Sequence, residues 1–388
     1  MIHIPLALAD LCVALGAASL AYIAFALLRL ATFRLPEPAA GDALAPVSVL
    51  KPLHGLEPEL EANLATFCDQ DYPHFQVIFS VRDPGDPALE VARRLQARFP
   101  DREIEIVTSP GAQLPNPKID NIAGAMNRVN GEIVVIADSD MRVDRQYLRG
   151  VVAPFADPHV GAVTAPFGAR ASGSLASRIG ALLINDQFTP SVLVAGAFEP
   201  LRYCVGATMA VRRRVLDEIG GIEAIGHNIA DDYMLGYLVS ARGYLVALAG
   251  CIPITLMSEK TLRALWSREL RWARTVRAVR PLGFAGTIVT FPLPFAVLNL
   301  LFAPSLPLGI GLFVAALGLR FAVHLTAHRR LGIPGRPQPW LVPPRDALSL
   351  CIWVASFFGR DARWRSRDLR MEGDGSLGAI DHPHAPRL

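Results

Sequence analysis

The stretch Ile133-Val134-Val135-Ile136-Ala137-Asp138-Ser139-Asp140 decides how this chain is read. Its β-branched run favours extended backbone. Apolar residues follow one another without alternation, which is the pattern of a central strand covered on both faces of a parallel sheet. Ligands of such sheets bind beyond the carboxyl ends of the strands, and there the run meets Asp138 and Asp140. Residues two apart in extended backbone point to the same side. Two hard carboxylates so placed can hold Mg²⁺ or Mn²⁺, with a diphosphate completing the shell. A turn in which Asp and Ser bond their own backbone uses the same residue types, so the pair takes its meaning from what surrounds it.

Outward from this strand the alternation continues. Runs with β-branched residues occur at 47–50, 76–81 and 104–108, with helical patterns between them at 56–67, 89–99 and 119–129. Strand, helix and strand in succession imply right-handed crossovers and a mostly parallel sheet. The fold class expected is α/β, a mostly parallel sheet with flanking helices over residues 46–257. Asp83, in VRDPGDP (81–87), also falls just past a strand, where it could accept hydrogen bonds from a base or ribose. A Pro/Gly turn favours Asp in any case. Lys118, in NPKIDN (116–121), could meet nucleotide phosphates or remain a solvated loop lysine; Asn121 is a weaker candidate. Asp231 and Asp232 precede a helix expected over 233–240. One of them can cap its free N–H groups. The other, ionised at neutral pH with an ordinary pKa near ~4, can serve as base for a hydroxyl within hydrogen-bond reach. His227 lies nearby and receives no role.

The ends of the chain differ from its middle. Hydrophobic residues make up 52% of the 388 and charged residues 19%, a balance between those of an ordinary soluble enzyme and a pure membrane bundle. Residues 6–30 are nearly all apolar, Asp10 being the main exception, and are long enough to span a bilayer. A cleaved signal peptide would carry Lys or Arg before the run, and residues 1–5 have neither. Arg29 and Arg34 follow it instead, so residues 1–35 read as an anchor with the next domain in the cytoplasm. Residues 36–46 read as a Pro/Ala/Gly linker. Residues 283–330 offer a transmembrane hairpin (284–301 and 306–325). Residues 331–372 hold an apolar stretch at 347–358, too short to span comfortably and flanked by Arg345 and later arginines; it reads as interfacial or re-entrant, with a full span as the alternative. Residues 373–388 read as a disordered tail. The net charge of +3 points to no nucleic-acid partner. Five scattered cysteines without C-x-x-C spacing argue against zinc or a disulfide framework.

Between residues 258 and 282, six arginines mix with Leu262, Leu265, Trp266, Leu270 and Trp272. As a helix this is a basic amphipathic surface suited to the lipid headgroup level. Arg268 and Arg271 are three apart and share a helix face, with Trp272 beside them. Paired guanidiniums suit a diphosphate, although an interfacial helix with no chemical task would look similar.

Taken in order, KPLHG (51–55), VRDPGDP, NPKIDN, ADSDMRV (137–143), CVGATMAVRR (204–213), IADDY (229–233) and RELRW (268–272) resemble the ceramide glucosyltransferase family of membrane glycosyltransferases. The resemblance runs from residue 48 to 284 and is nearer the bacterial hopanoid-associated branch than the animal enzymes, which tend to read D-S-G where this chain has Asp140. It implies a GT-A fold and inverting transfer of a hexose from UDP-glucose or UDP-N-acetylglucosamine to a hydroxyl of ceramide or a hopanoid. The reaction would lie at the cytoplasmic leaflet of a bacterial inner membrane. By the same resemblance Asp83 would contact the nucleotide, Asp138 and Asp140 a divalent cation, and Arg268, Arg271 and Trp272 would line the diphosphate and acceptor side; with Asp83, Lys118 and Asp138 they form the expected nucleotide-sugar-binding set. Asp232 would be the base. A processive polysaccharide synthase shares the D-x-D and R-W motifs but usually needs more spans. A catalytically inactive lipid-binding scaffold would show no metal-dependent UDP binding.

Overall fold

The computed structural model describes residues 6–42, 44–359, 361–364, 367–371 and 377–379. Helix α1 (Leu6–Thr32) leads into β1 (Val47–Leu53), α2 (Leu60–Cys68), β2 (Phe75–Val81), α3 (Ala88–Arg98), β3 (Glu103–Thr108), α4 (Pro117–Ala123) and β4 (Ile133–Ile136). Then come β5 (Met141–Arg142), α5 (Tyr147–Val152), β6 (Val160–Thr164), β7 (Gly168–Ala171), α6 (Leu175–Leu183) and α7 (Thr189–Phe198). The domain closes with β8 (Met209–Arg212), α8 (Arg213–Glu218), α9 (Asp231–Ala241), β9 (Leu245–Leu248) and β10 (Ile254–Met257). Helices α10 (Leu262–Val279), α11 (Pro281–Gly286), α12 (Pro292–Phe302), α13 (Leu306–Arg330) and α14 (Val342–Ser356) follow, and then strands β11 (Asp361–Trp364), β12 (Arg367–Met371) and β13 (Leu377–Ala379).

The central sheet has the order β3-β2-β1-β4-β8-β6-β9. Strands β1 to β4 run parallel, β8 runs antiparallel to both β4 and β6, and β9 is parallel to β6. Only β8 is reversed, so the sheet is mostly parallel. Its core lies on both faces, as the unalternating sequence of β4 requires. Ile133 and Val135 pack on one side with residues of α2, α3 and α5. Val134 and Ile136 pack on the other with residues of α4, α8 and α9. All four are fully buried. Because β2, β1 and β4 are neighbours with one polarity, the turns after β2 and β4 open at the same edge on either side of β1. Strand β8 begins opposite the end of β4, with Met209 paired to Ile136. The loop before β8 therefore also arrives at that edge. A second sheet, β5-β10-β7, lines the cleft beside it.

Several elements depart from the sequence-based expectation. Strand β1 continues through Lys51 and Pro52 to Leu53, and helix α2 starts only at Leu60. The helix expected over 119–129 ends at Ala123, and a short turn of 3₁₀ helix, Met126–Arg128, follows. Helix α9 begins at Asp231, so both acidic residues lie in its first turn. The apolar stretch read as one arm of a hairpin is broken: α11 and its following turn meet α12 at 61°. Pro292 supplies no N–H at the start of α12 and pushes Phe291 out of helical geometry, to φ −111°, ψ 70°. Ala9–Thr32 and Leu306–Arg330 are each long and apolar enough to cross a membrane, and the bent pair would make a third such segment. Helices α1, α12 and α13 pack together. Strand β13 falls within the stretch read as a disordered tail; residues 373–376 and 380–388 lie outside the described residues.

Candidate active site

The open edge of the sheet collects the acidic residues. Asp138 and Asp140 follow β4 directly, and Asp83 follows β2. Asp231 and Asp232 arrive from the far side, where α9 is held against the loop before β8 by the Cys204 N–H donating to the Asp232 carbonyl, 3.1 Å. Gly206 in that loop lies beside carboxylates of both acidic motifs. A β-carbon added there would lie 3.4 Å from Asp232 Oδ2 and 3.6 Å from Asp138 Oδ2. Carboxylates 94 positions apart in sequence thus border one small volume. Asp138, Asp140, Asp232, Lys118, Asp83, Arg268, Arg271 and Trp272 all line the same cleft, whose volume is about 2140 Å³.

Like charges this close must be compensated. Lys118, 13% exposed at its side chain, places Nζ 2.9 Å from Asp138 Oδ1 and 3.0 Å from Asp231 Oδ2. Burial works against its ammonium, but Asp138, Asp231 and Asp232 outweigh it and hold its pKa well above the usual lysine value. Lys118 therefore bridges the two acidic motifs, where the sequence offered a choice between phosphate ligand and solvated loop residue. Asn116 sets this geometry. Its side-chain oxygen accepts from the N–H groups of Lys118 and Ile119, capping α4, and its amide donates to the Asn228 carbonyl, 2.8 Å.

Two of these carboxyls have raised pKa values. Burial raises the Asp232 pKa to about 6, helped by Asp231 and Asp138 and opposed by Lys118 and the Tyr233 N–H. Burial, Asp138 and Glu57 raise Asp140 to about 7, against a hydrogen bond donated by Thr255 Oγ1 to its Oδ2 at 2.9 Å. The other Asp140 oxygen, Oδ1, is buried and has no hydrogen-bond partner. A buried acceptor left unpaired costs about 1–3 kcal/mol. This pair is therefore an environment that calls for positive charge, which fits a divalent cation. Among the described residues no group of three or more His, Cys, Asp or Glu side chains converges on one point, so protein carboxylates alone would leave much of such an ion's shell to other ligands.

Other groups at the site were not assigned from sequence. Lys51, fully buried, donates from Nζ to the Asp138 carbonyl and lies 3.5 Å from the centre of the Phe67 ring. Burial lowers its pKa to about 7 against the pull of Asp138, Asp140 and Glu57. A lysine inside an apolar strand was the visible signal. Glu57 accepts from Ser139 Oγ at 2.5 Å; nothing in its spacing marked it. Asp86 is structural: it accepts from the N–H groups of Gly55 and Ala88, joining two loops at the start of α3. Asp83 is exposed and accepts from the Gly85 N–H at 2.8 Å.

The arginine motif closes the cleft from the side of α10. Arg268 stacks over Trp272 at 4.9 Å and pairs with Glu259. Burial lowers its pKa, opposed by Glu259, Glu269 and Asp140. Arg271 lines the same wall. Both arginines thus line the cleft that holds the acidic residues.

A family model for glycosyl transferase family 21 matches residues 11–377. The chain belongs to that family. Among relatives of this family 21 protein, Ceramide glucosyltransferase 1 of Caenorhabditis elegans is 26% identical over 252 residues, covering 64% of this chain and 54% of that protein. Beta-monoglucosyldiacylglycerol synthase of Synechocystis is 27% identical over 221 residues, covering 53% of this chain and 42% of that protein. The chain spans about half the length of the curated relatives it matches. The mannosyltransferase PcManGT from Pyrobaculum calidifontis, solved with GDP-Man and Mn²⁺, superposes with a TM-score of 0.57 at 20% identity. The match covers 91% of this chain and 99% of that one, and identifies the fold as GT-A-like.

Proposed function

We propose that this family 21 protein is an inverting hexosyltransferase that moves a sugar from a UDP-sugar to the hydroxyl of a membrane lipid at the cytoplasmic leaflet. One observation carries the reading. The cleft that holds the carboxylates and the arginines is continuous with a wall of Phe188, Val192, Ala195, Phe284, Phe291 and Trp353, from helices packed beside the apolar segments. A polar centre continuous with an apolar wall suits a substrate with a hydroxyl head and an apolar tail. Relatives named for ceramide and diacylglycerol products support a lipid acceptor.

In this reading the nucleotide lies near Asp83, with its diphosphate between the Asp138–Asp140 edge and the Arg268–Arg271 face. A divalent cation, Mg²⁺ or Mn²⁺, held by Asp138 and Asp140, would neutralise charge on the departing diphosphate. The solved neighbour that carries Mn²⁺ together with a nucleotide-sugar supports that assignment. Asp232 accepts the proton of the acceptor hydroxyl as its oxygen bonds to the anomeric carbon and the bond to UDP breaks. A raised pKa brings this base closer to the working pH, which favours proton transfer. A single in-line displacement inverts the anomeric centre. The arginines stabilise negative charge on UDP as it departs, and Lys118 keeps Asp138 and Asp231 in place.

The test uses protein purified in detergent, Mn²⁺ or Mg²⁺, radiolabelled UDP-glucose or UDP-N-acetylglucosamine, and ceramide or hopanoid acceptors. Label should pass into the organic phase as a single glycosyl adduct with inverted configuration. Label recovered only as free sugar or water-soluble polymer would defeat the proposal.

A further inference from the structure

The motif RELRW contains a residue that its chemistry does not use. Glu269 follows Arg268 by one helical position, so it points about 100° away around α10. It is 2% exposed, and its Oε1 pairs with Nη1 of Arg345 at 2.8 Å. Arg345, on α14, is fully buried. Its Nε donates to Ser349 Oγ at 3.0 Å, and Ser349 Oγ in turn donates to Gln187 Oε1 at 2.8 Å. Gln187 belongs to a π-helical turn, Ile184–Phe188, between α6 and α7. Such turns are uncommon and occur often at functional sites. Two residues earlier in that turn, Asn185 exchanges two hydrogen bonds with the backbone of Ala169 on β7, 2.8 and 2.9 Å. Strand β7 pairs with β10, which carries Thr255, the donor to Asp140.

We infer that Glu269 and Arg345 are positioning residues that hold the arginine face of the site in register with its carboxylate face. The proposal rests on the reading that a nucleoside diphosphate binds between those faces. The chain of contacts is continuous from Asp140 through β10, β7 and the π turn to Arg345 and Glu269, and it ends one residue from Arg268. It crosses between elements far apart in sequence, and its side chains from Thr255 to Glu269 are buried. Breaking one side of a buried ion pair is strongly destabilising, whereas replacing both partners by apolar residues of similar volume is often neutral. That difference separates stability from alignment.

The experiment compares wild type with the double variant Glu269→Met/Arg345→Met and with Arg345→Lys, which keeps the charge but loses the forked geometry. UDP and uridine binding are measured by titration calorimetry with Mn²⁺ present, alongside thermal melting of the same samples. A folded double variant should bind UDP at least tenfold more weakly, with uridine affinity unchanged because uridine does not reach the arginines. Arg345→Lys should shift UDP affinity in the same direction. Wild-type UDP affinity in either folded variant overturns the inference, as does loss of folded protein in both, which would assign the pair to stability alone. A wild-type protein that binds no UDP strikes at the underlying reading of function instead.

Discussion

Replacement of Asp232 by Asn tests the chemistry most directly. The change is isosteric, and the amide oxygen can still accept from the Tyr233 N–H, which bonds Oδ1 at 2.7 Å in the native protein. What is lost is the ability to take a proton. General-base catalysis contributes about 10²–10⁴-fold, or roughly 3–5 kcal/mol at ~1.4 kcal/mol per decade. Donor binding should survive, because the substitution removes one negative charge from a crowded buried cluster. The pH profile gives a second, independent mark. With the Asp232 pKa raised to about 6, the active species is the deprotonated one. Wild-type kcat/KM should therefore fall on the acid side, about tenfold per unit below an inflection near 6 or lower, since a bound cation favours the carboxylate. The sign follows from the role: a base is lost as pH falls, whereas a general acid would be lost as pH rises. The assay is initial-rate transfer of radiolabelled hexose to lipid between pH 4.5 and 8.5. An Asn variant that keeps more than a tenth of wild-type kcat, or that keeps the acid limb at saturating Mn²⁺ throughout the pH range, refutes the assignment of Asp232.

Three further outcomes follow from the geometry. With Asp140 raised to about 7 by burial and its acidic neighbours, Mn²⁺ binding at pH 7 should expel about half a proton per ion on average. Calorimetric enthalpies should then depend on the buffer's heat of ionisation, and the dependence should vanish in Asp140→Asn. A β-carbon at Gly236 would lie 2.3 Å from Tyr203 Cα and 2.6 Å from the Cys204 N, backbone atoms that cannot swing aside. Gly236→Ala should cost about 1–3 kcal/mol or more of stability, read as a lowered Tm in detergent, and should disturb the loop that carries Gly206. Ala195→Trp, on the apolar wall of the cleft, should raise the KM for lipid acceptor by at least about tenfold, near 1.4 kcal/mol. UDP affinity should be unchanged, as checked by calorimetry.

The central strand was legible because its chemistry is local. Unbroken β-branched residues can only be buried on two faces, and that placement put Asp138 and Asp140 at a sheet edge. The parallel neighbours were legible for the same reason, and Asp83 with them. The reversed strand β8 was not, since polarity is decided by how the chain returns after α7, not by its own four residues. Nor was the pairing of Lys118, because its partners Asp138 and Asp231 are brought to it only by folding. Arg345 stood out in sequence only as a basic flank of an apolar stretch. Its burial depends on Glu269 approaching from another helix. The break before α12 had a local cause in Pro292, but hydropathy averages over such a residue and so presented a straight span.

That break has a kinetic consequence. Two short rods meeting at 61° do not fill the outline of one continuous rod, and the cleft wall includes Phe284 and Phe291 from the region of the bend. On the proposed function, a lipid acceptor would enter there sideways from the bilayer without passing through water. The quantity that saturates such a protein is the mole fraction of acceptor in the surrounding film, so diluting the acceptor with inert lipid at constant bulk molarity should slow turnover as surely as removing it.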